Sequence, residues 1–308
     1  MNFQLKGSSV TKLEFNCYSG IMDYQGDSML TEEQKQRRKE GLGASESAII
    51  MGYSTYKTPY QLYLEKTGIV TAEDEQSEQQ YWGNALESAI IKRFEEENHV
   101  EVTFPDTVYH PDYPFIFANL DGWIAADHAV VEAKCVNSFQ RGQWDMAATD
   151  GIPLAYLIQI AKQCAITNAI RGYCAVLVGG NEYQQFIYER DLPLEALIIQ
   201  SDIEFWDKVQ KRIEPDPINT TDCRLKFKDV KEGKTAIATF KISHTLADLA
   251  NTKLKAKDLE SREDMLKMAI MQFMGSAEYL MGQQEEILAT WKANKKGTRV
   301  LNLKGISI

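Results

Sequence analysis

The chain has 308 residues, 44% of them hydrophobic and 10% aromatic, enough for a substantial core in one large domain or a core with an appended module. Its formal net charge of −10 opposes the basic footprint usual for nucleic-acid binding, although net charge speaks to solubility and association rather than to fold. No apolar run approaches the roughly 20 residues of a membrane span, Met1–Lys6 lacks the apolar core of a secretory signal, and a cytoplasmic protein is expected. Five cysteines, at 17, 135, 164, 174 and 223, form no Cys-x-x-Cys pair, which argues against a disulfide framework, a zinc ribbon or an iron–sulfur cluster.

Residues 1 to 30 show no clear periodicity. Thr31 to Glu40 is a polar, helix-prone segment carrying Arg37-Arg38-Lys39, and Ser45 is a plausible N-cap for a short apolar helix from Glu46 to Met51. Thr58-Pro59 opens a further helix closed by Gly68. The acidic stretch Thr71 to Gln80 reads as a solvated connector, and Asn84 as the cap of a helix running to Asn98 whose face holds Glu87, Ile90, Ile91 and Phe94. An extended run, Phe115 to Leu120, leads to Asp121, and a turn near Asp127-His128 returns the chain as the strand Val130 to Cys135. Pro153 begins a helix to Asn168 in which Tyr156, Gln159 and Gln163 share a face. Tyr173–Val178 and Gln184–Tyr188 read as a hairpin around Gly179-Gly180-Asn181, and a helix from Pro193 to Arg212 completes the core. Pro215-Asp-Pro217 marks a boundary. Residues 1–215 are therefore expected as a core and 216–308 as an extension, with a long helix within Ser243–Met281 and a hairpin of Ile287–Trp291 with Arg299–Leu303.

Chemistry concentrates between Asp121 and Lys134. On a strand, side chains alternate, so Glu132 and Lys134 share one face, with Val130, while Val131 and Ala133 occupy the other. A Glu-x-Lys on a strand is commonly a solvated face or a cross-strand ion pair. Apolar residues on both faces make this strand central, where a charged pair needs partners or a metal. Paired carboxylates bind hard cations such as Mg²⁺ through oxygen, and an adjacent ammonium can orient the attacking water. Glu87 has an ordinary explanation too, since Asn84-x-x-Glu87 reads as a capping box.

The order helix with Glu87, strand with Asp121, strand with Glu132-x-Lys134, helix with Gln159 resembles the PD-(D/E)XK nuclease core. More narrowly it is similar to the YqaJ-like viral recombinase group that includes lambda exonuclease. Gly41-Leu-Gly-Ala-Ser45-Glu-Ser-Ala-Ile-Ile-Met-Gly52 and Tyr56-Lys-Thr-Pro-Tyr-Gln-Leu-Tyr-Leu-Glu-Lys-Thr-Gly68 resemble that group's opening motif, and the likeness runs over residues 36–190. It implies an α/β, restriction-endonuclease-like fold with a mixed central sheet flanked by helices. It also implies Mg²⁺-dependent, 5′→3′ degradation of double-stranded DNA ends, with Mn²⁺ as a substitute, leaving a 3′ single strand for an annealing protein. A homo-oligomer, a ring trimer in that group, and a phage protein in a bacterial host are expected with it.

By the same resemblance Asp121, Glu132, the Ala133 carbonyl and Glu87 hold metal, Lys134 positions the attacking water, and Gln159 and Tyr156 stand beside the site. Arg38 and Ser45 match positions that hold a 5′ phosphate, though the sequence does not choose between Arg37 and Arg38. A guanidinium makes paired charge-assisted bonds to phosphate, which agrees with that role. Asn119-Leu120 departs from the Ser-Pro that many relatives carry before the aspartate. Two other classes share the core: a site-specific endonuclease, for which no base-reading element is evident, and a non-catalytic DNA-binding scaffold, which the complete Glu87, Asp121, Glu132 and Lys134 set disfavours.

Overall fold

The computed structural model describes residues 32–70, 77–144 and 151–304. The N-terminal arm with Cys17 and most of the acidic connector lie outside the described residues. The chain divides into two compact units, the first ending at Lys228 and the second beginning at Asp229.

The first unit opens with α1 (Glu32–Glu40), a 3₁₀ turn (Ala44–Glu46), α2 (Ser47–Ile50) and α3 (Pro59–Lys66). Thr58 caps α3 as expected, accepting from Gln61 N while Gln61 Oε1 accepts from Thr58 N at 3.0 Å. Ser45 is not the N-cap that its sequence position suggested. The turn starts earlier because Gly43 O accepts Glu46 N–H at 3.1 Å and the Glu46 carboxylate accepts Gly43 N–H at 2.8 Å, which places Ser45 within it.

The next helix, α4 (Glu78–Asn98), is capped by Ser77, which exchanges hydrogen bonds with Gln80. Asn84 is therefore a helix-interior residue, and the capping-box explanation of Glu87 does not hold. Two short strands, β1 (Val108–Tyr109) and β2 (Phe117–Ala118), form a separate antiparallel pair. The extended run expected over Phe115–Leu120 is thus mostly not strand. Leu42 takes its other bonds, donating to Phe115 O at 2.6 Å and accepting from Phe117 N at 3.0 Å. A side chain at Gly41 would prevent this, because its Cβ would meet Phe115 O at 2.4 Å.

The central sheet has the order β3 (Gly122–Ile124), β4 (Ala129–Val136), β5 (Arg171–Val178), β6 (Glu182–Glu189), and it is mixed: β4 and β5 are parallel, the outer pairs antiparallel. Parallel strands require a crossover, supplied by α5 (Leu154–Thr167), which ends at Asn168 with φ 54°. Alternation on β4 assigns the layers. Val131 and Ala133 pack with Ile90, Ile91 and Phe94 of α4, whereas Val130 packs with Ile158, Ile160 and Cys164 of α5. Gly172 permits α5 to lie close, since a Cβ there would come within 2.2 Å of Ile160 Cγ2.

After β6 come α6 (Leu192–Gln210), capped by Asp191, and α7 (Thr220–Lys226). The sequence boundary at Pro215 falls inside the first unit: Asp222 of α7 is fully buried and accepts from Thr58 Oγ1 at 2.8 Å. The second unit consists of α8 (Phe240–Met274) and the antiparallel sheet β7 (Tyr279–Met281), β8 (Ile287–Ala293), β9 (Arg299–Leu303). The expected hairpin is β8–β9. The long helix ends earlier than expected, at Gly275 with φ 52°, which frees Tyr279–Met281 to pair with β8 as a third strand. Among the described residues no helix is long and apolar enough to cross a membrane.

Candidate active site

The β3–β4 hairpin brings Asp121 beside Glu132 and Lys134. Pairing runs from Ile124↔Ala129 to Gly122↔Val131. Beyond it the Asp121 carboxylate takes over the ladder, Oδ2 accepting Ala133 N–H at 2.9 Å. Glu132 lies fully buried on the strand between β3 and β5, opposite Cys174. Such a carboxylate is stable only if its lone pairs are taken up, and three donors do so. Lys134 Nζ donates to Glu132 Oε1, Gln159 Nε2 to the same oxygen at 2.5 Å, and Gln163 Nε2 to Oε2 at 2.6 Å.

The face shared by Tyr156, Gln159 and Gln163 is therefore the face of α5 that meets Glu132. Tyr156 contributes its ring, whose centroid is 5.3 Å from Lys134 Nζ. Gln163 is the residue to which sequence reasoning gave no role. Its signal was present, because it lies one helical turn from Gln159. Its Oε1, on the amide whose nitrogen reaches Glu132, is buried without a hydrogen-bond partner among the described residues.

Burial is the largest influence on each titratable group of the site, with neighbouring charges acting on top of it. Burial raises the Asp121 pKa well above the ordinary carboxylate range, repulsion from Glu132 and Glu87 adds to it, and Lys134 opposes it. Burial also raises Glu87, again with Glu132 repelling and Lys134 offsetting. Glu87 of α4 is thus repelled by a hairpin carboxylate and attracted by its ammonium. For Lys134 burial acts downward, but Glu132 and Asp121 outweigh it and hold the ammonium above the usual lysine range. Burial and Glu132 likewise push the Cys174 thiol up, so it is a core residue rather than a nucleophile.

Asp121 and Glu132 share one ammonium and are further repelled by Glu87, an excess of negative charge in a low-dielectric setting, which is the condition a divalent cation relieves. Among the described residues no three His, Cys, Asp or Glu side chains converge as a ready-made metal cluster. Glu132 is instead held by Lys134 and the two glutamines. The donors are nonetheless all oxygen, with the orphaned Gln163 amide oxygen nearby, and this chemistry fits a hard cation such as Mg²⁺.

The residues matched to phosphate binding lie on the N-terminal segment. Arg37 donates through Nη1 to Thr107 Oγ1 at 2.8 Å, and Thr107 donates on to Asn119 Oδ1 at 2.7 Å. Arg37 is thereby tied to the segment leading into Asp121, and Asn119 has a defined partner despite its departure from Ser-Pro. The Arg38 and Ser45 side chains are exposed.

Residues 33–170 match the YqaJ-like viral recombinase domain. The uncharacterized protein YqaJ of Bacillus subtilis is 31% identical over 273 residues, covering 86% of this chain and 84% of that protein. The chain belongs to the YqaJ-like viral recombinase family. That places it within the PD-(D/E)XK-related nuclease superfamily, a family of nucleases associated with recombination. An alkaline exonuclease, LHK-Exo from Laribacter hongkongensis, is similar in structure, with a TM-score of 0.51, 23% identity and coverage of 60% of this chain and 95% of that one. Its complex with dAMP gives the same TM-score at 22% identity. At such identity the likeness is one of fold, the α/β core with its mixed sheet and flanking helices.

Proposed function

We propose that the protein is a Mg²⁺-dependent exodeoxyribonuclease that degrades duplex DNA ends 5′→3′, with Mn²⁺ able to substitute, and leaves a 3′ single strand for an annealing protein. The observation that carries the reading is Glu132, a fully buried carboxylate on a central strand, held by Lys134, Gln159 and Gln163 with Asp121 fixed to the neighbouring Ala133 N–H. Such an arrangement is costly for stability alone. Family membership and the fold shared with an alkaline exonuclease support the same reading.

Asp121, Glu132, the Ala133 carbonyl and Glu87 would hold the cation, which when bound supplies Lewis-acid stabilisation of the phosphate charge. Lys134 stays protonated beside Glu132 and Asp121. It therefore cannot take a proton from water, and it acts by donating hydrogen bonds that orient the nucleophile and by offsetting charge on the scissile phosphate. Gln159 and Gln163 fix the carboxylate rotamer of Glu132, and Tyr156 packs over the lysine. Arg38 and Ser45 are assigned to the 5′ phosphate. The second unit is assigned to homo-oligomer assembly or to recruiting the annealing protein, and the site of action to the cytoplasm of a phage-bearing bacterium.

Incubating linear and closed-circular duplexes with Mg²⁺ tests the reading. Loss of the linear form alone is expected; loss of both indicates an endonuclease, and loss of neither a binding scaffold.

A further inference from the structure

Two buried lysines grip the main chain between Arg38 and Glu46. Lys66 on α3, with 3% of its side chain exposed, donates to the carbonyls of Arg38 and Gly41, the latter at 2.7 Å, and pairs with Glu46 at 2.7 Å. Lys162 on α5 is fully buried and donates to Gly43 O at 2.9 Å and Leu42 O at 3.1 Å. Its ion-pair partner is Asp202 of α6 at 2.6 Å, also fully buried, whose two carboxylate oxygens accept the Ser47 hydroxyl at 2.9 Å.

Burying an ammonium and its counter-ion is a poor route to stability, since well-packed apolar residues of the same volume commonly do as well or better. What the lysines add is direction: their hydrogen bonds end on main-chain carbonyls of one segment and fix where it runs. Lys162 and Gln163 lie three and four residues beyond Gln159 on the same helix, so each neighbours Gln159 on its surface while the two point to different sides. One turn of α5 thus holds Glu132 through the glutamines and the Gly43 turn through the lysine.

We infer that Lys162, seconded by Lys66, is a positioning residue that sets the spacing between the segment bearing Arg38 and Ser45 and the cleavage centre at Glu132. The inference rests on the proposed 5′-phosphate role of that segment. Spacing of this kind governs whether a bound DNA end places its scissile phosphate over Glu132, so loosening it penalises phosphorylated ends above all.

The test uses Lys162→Met combined with Asp202→Asn, which leaves no uncompensated buried carboxylate, and the full chain. Amide exchange should quicken about tenfold in peptides spanning residues 41–51 and remain unchanged in β4 and β5. KM for 5′-phosphorylated duplex ends should rise about tenfold with kcat altered less than about threefold, while KM for 5′-hydroxyl ends stays as in the wild type. Unchanged exchange in a folded variant overturns the clamp, and quicker exchange with wild-type KM for phosphorylated ends overturns its positioning role. If the double variant does not fold, Lys66→Met is judged by the same two readouts. Wild-type protein that ignores the 5′ phosphate defeats the functional reading and the positioning role with it, and amide exchange then decides separately whether the clamp exists.

Discussion

The N–H of Ala133 donates to Asp121 Oδ2 at 2.9 Å, so the main chain of β4 orients one carboxylate while its side chains at 132 and 134 present the other and the ammonium. A hairpin only a few residues deep therefore carries most of the candidate centre. Removing any of its three charged groups should affect chemistry far more than folding. Asp121→Asn, Glu132→Gln and Lys134→Ala are each expected to lower turnover by about 10²–10³ or more, with far-ultraviolet circular dichroism unchanged. Wild-type turnover by a folded variant would contradict the assignment.

Metal binding should separate these variants. Asp121 and Glu87 are raised by burial and mutual repulsion with Glu132, so a divalent cation relieves strain that the folded protein carries without it. Mg²⁺ or Ca²⁺ at about one hundred times its Kd should add roughly 2.7 kcal/mol of stability to the wild type. Lys134→Ala is expected to keep that increment and Asp121→Asn or Glu132→Gln to lose most of it, as read by thermal melts with and without chelator. Ca²⁺ should support DNA binding but little cleavage because its looser coordination positions the nucleophile poorly.

Arg37 and Arg38 are adjacent but differently engaged. Arg37 is bonded to Thr107, which leads on to Asn119, whereas the Arg38 side chain is exposed. Arg38→Ala is therefore expected to erase most of the rate advantage of a 5′-phosphorylated end, of about tenfold, as loss of a charge-assisted phosphate contact does. Arg37→Ala should lower activity on both kinds of end alike. The reverse pattern in initial rates would move the phosphate to Arg37.

Gly172 sets the approach of α5 to the sheet. In Gly172→Ala the new Cβ meets Ile160 Cγ2 at 2.2 Å and Val130 Cγ2 at 3.2 Å, an overpacking that costs about 1–3 kcal/mol. Relief by displacing α5 would also draw Gln159 and Gln163 away from Glu132. Reduced stability in urea together with reduced turnover is expected, and a destabilised variant with full turnover would show that the helix does not need that distance.

Truncation should distinguish the two candidate boundaries. A chain ending at Lys228 keeps α7 and the bond from Thr58 Oγ1 to the buried Asp222, and it is expected to fold and to cleave. One ending at Pro215 loses α7 and the Thr58–Asp222 hydrogen bond with it, and it is expected to be less stable than the longer truncation. Light scattering on the longer truncation tests whether assembly depends on the second unit.

Much of the candidate site was legible in the sequence because strand and helix periodicities are local. Alternation by two put Glu132 and Lys134 on one face, and spacing by three and four put Tyr156, Gln159 and Gln163 on one stripe; neither depends on what packs against them. Proline and glycine punctuation likewise marked the start of α3 and the β5–β6 turn. The tertiary structure decided the partnerships. Asn84 fits a capping box in isolation, yet Ser77 and Gln80 cap the helix earlier, because a cap is settled by where the helix first gains hydrogen bonds. Gln163 gained its place when α5 was laid over β4, and the grip of Lys66 and Lys162 on the Arg38–Glu46 segment joins residues from separate helices. Lys162 meets Asp202, and Lys66 meets Glu46, only through long-range packing, and no short window of sequence contains both members of either pair.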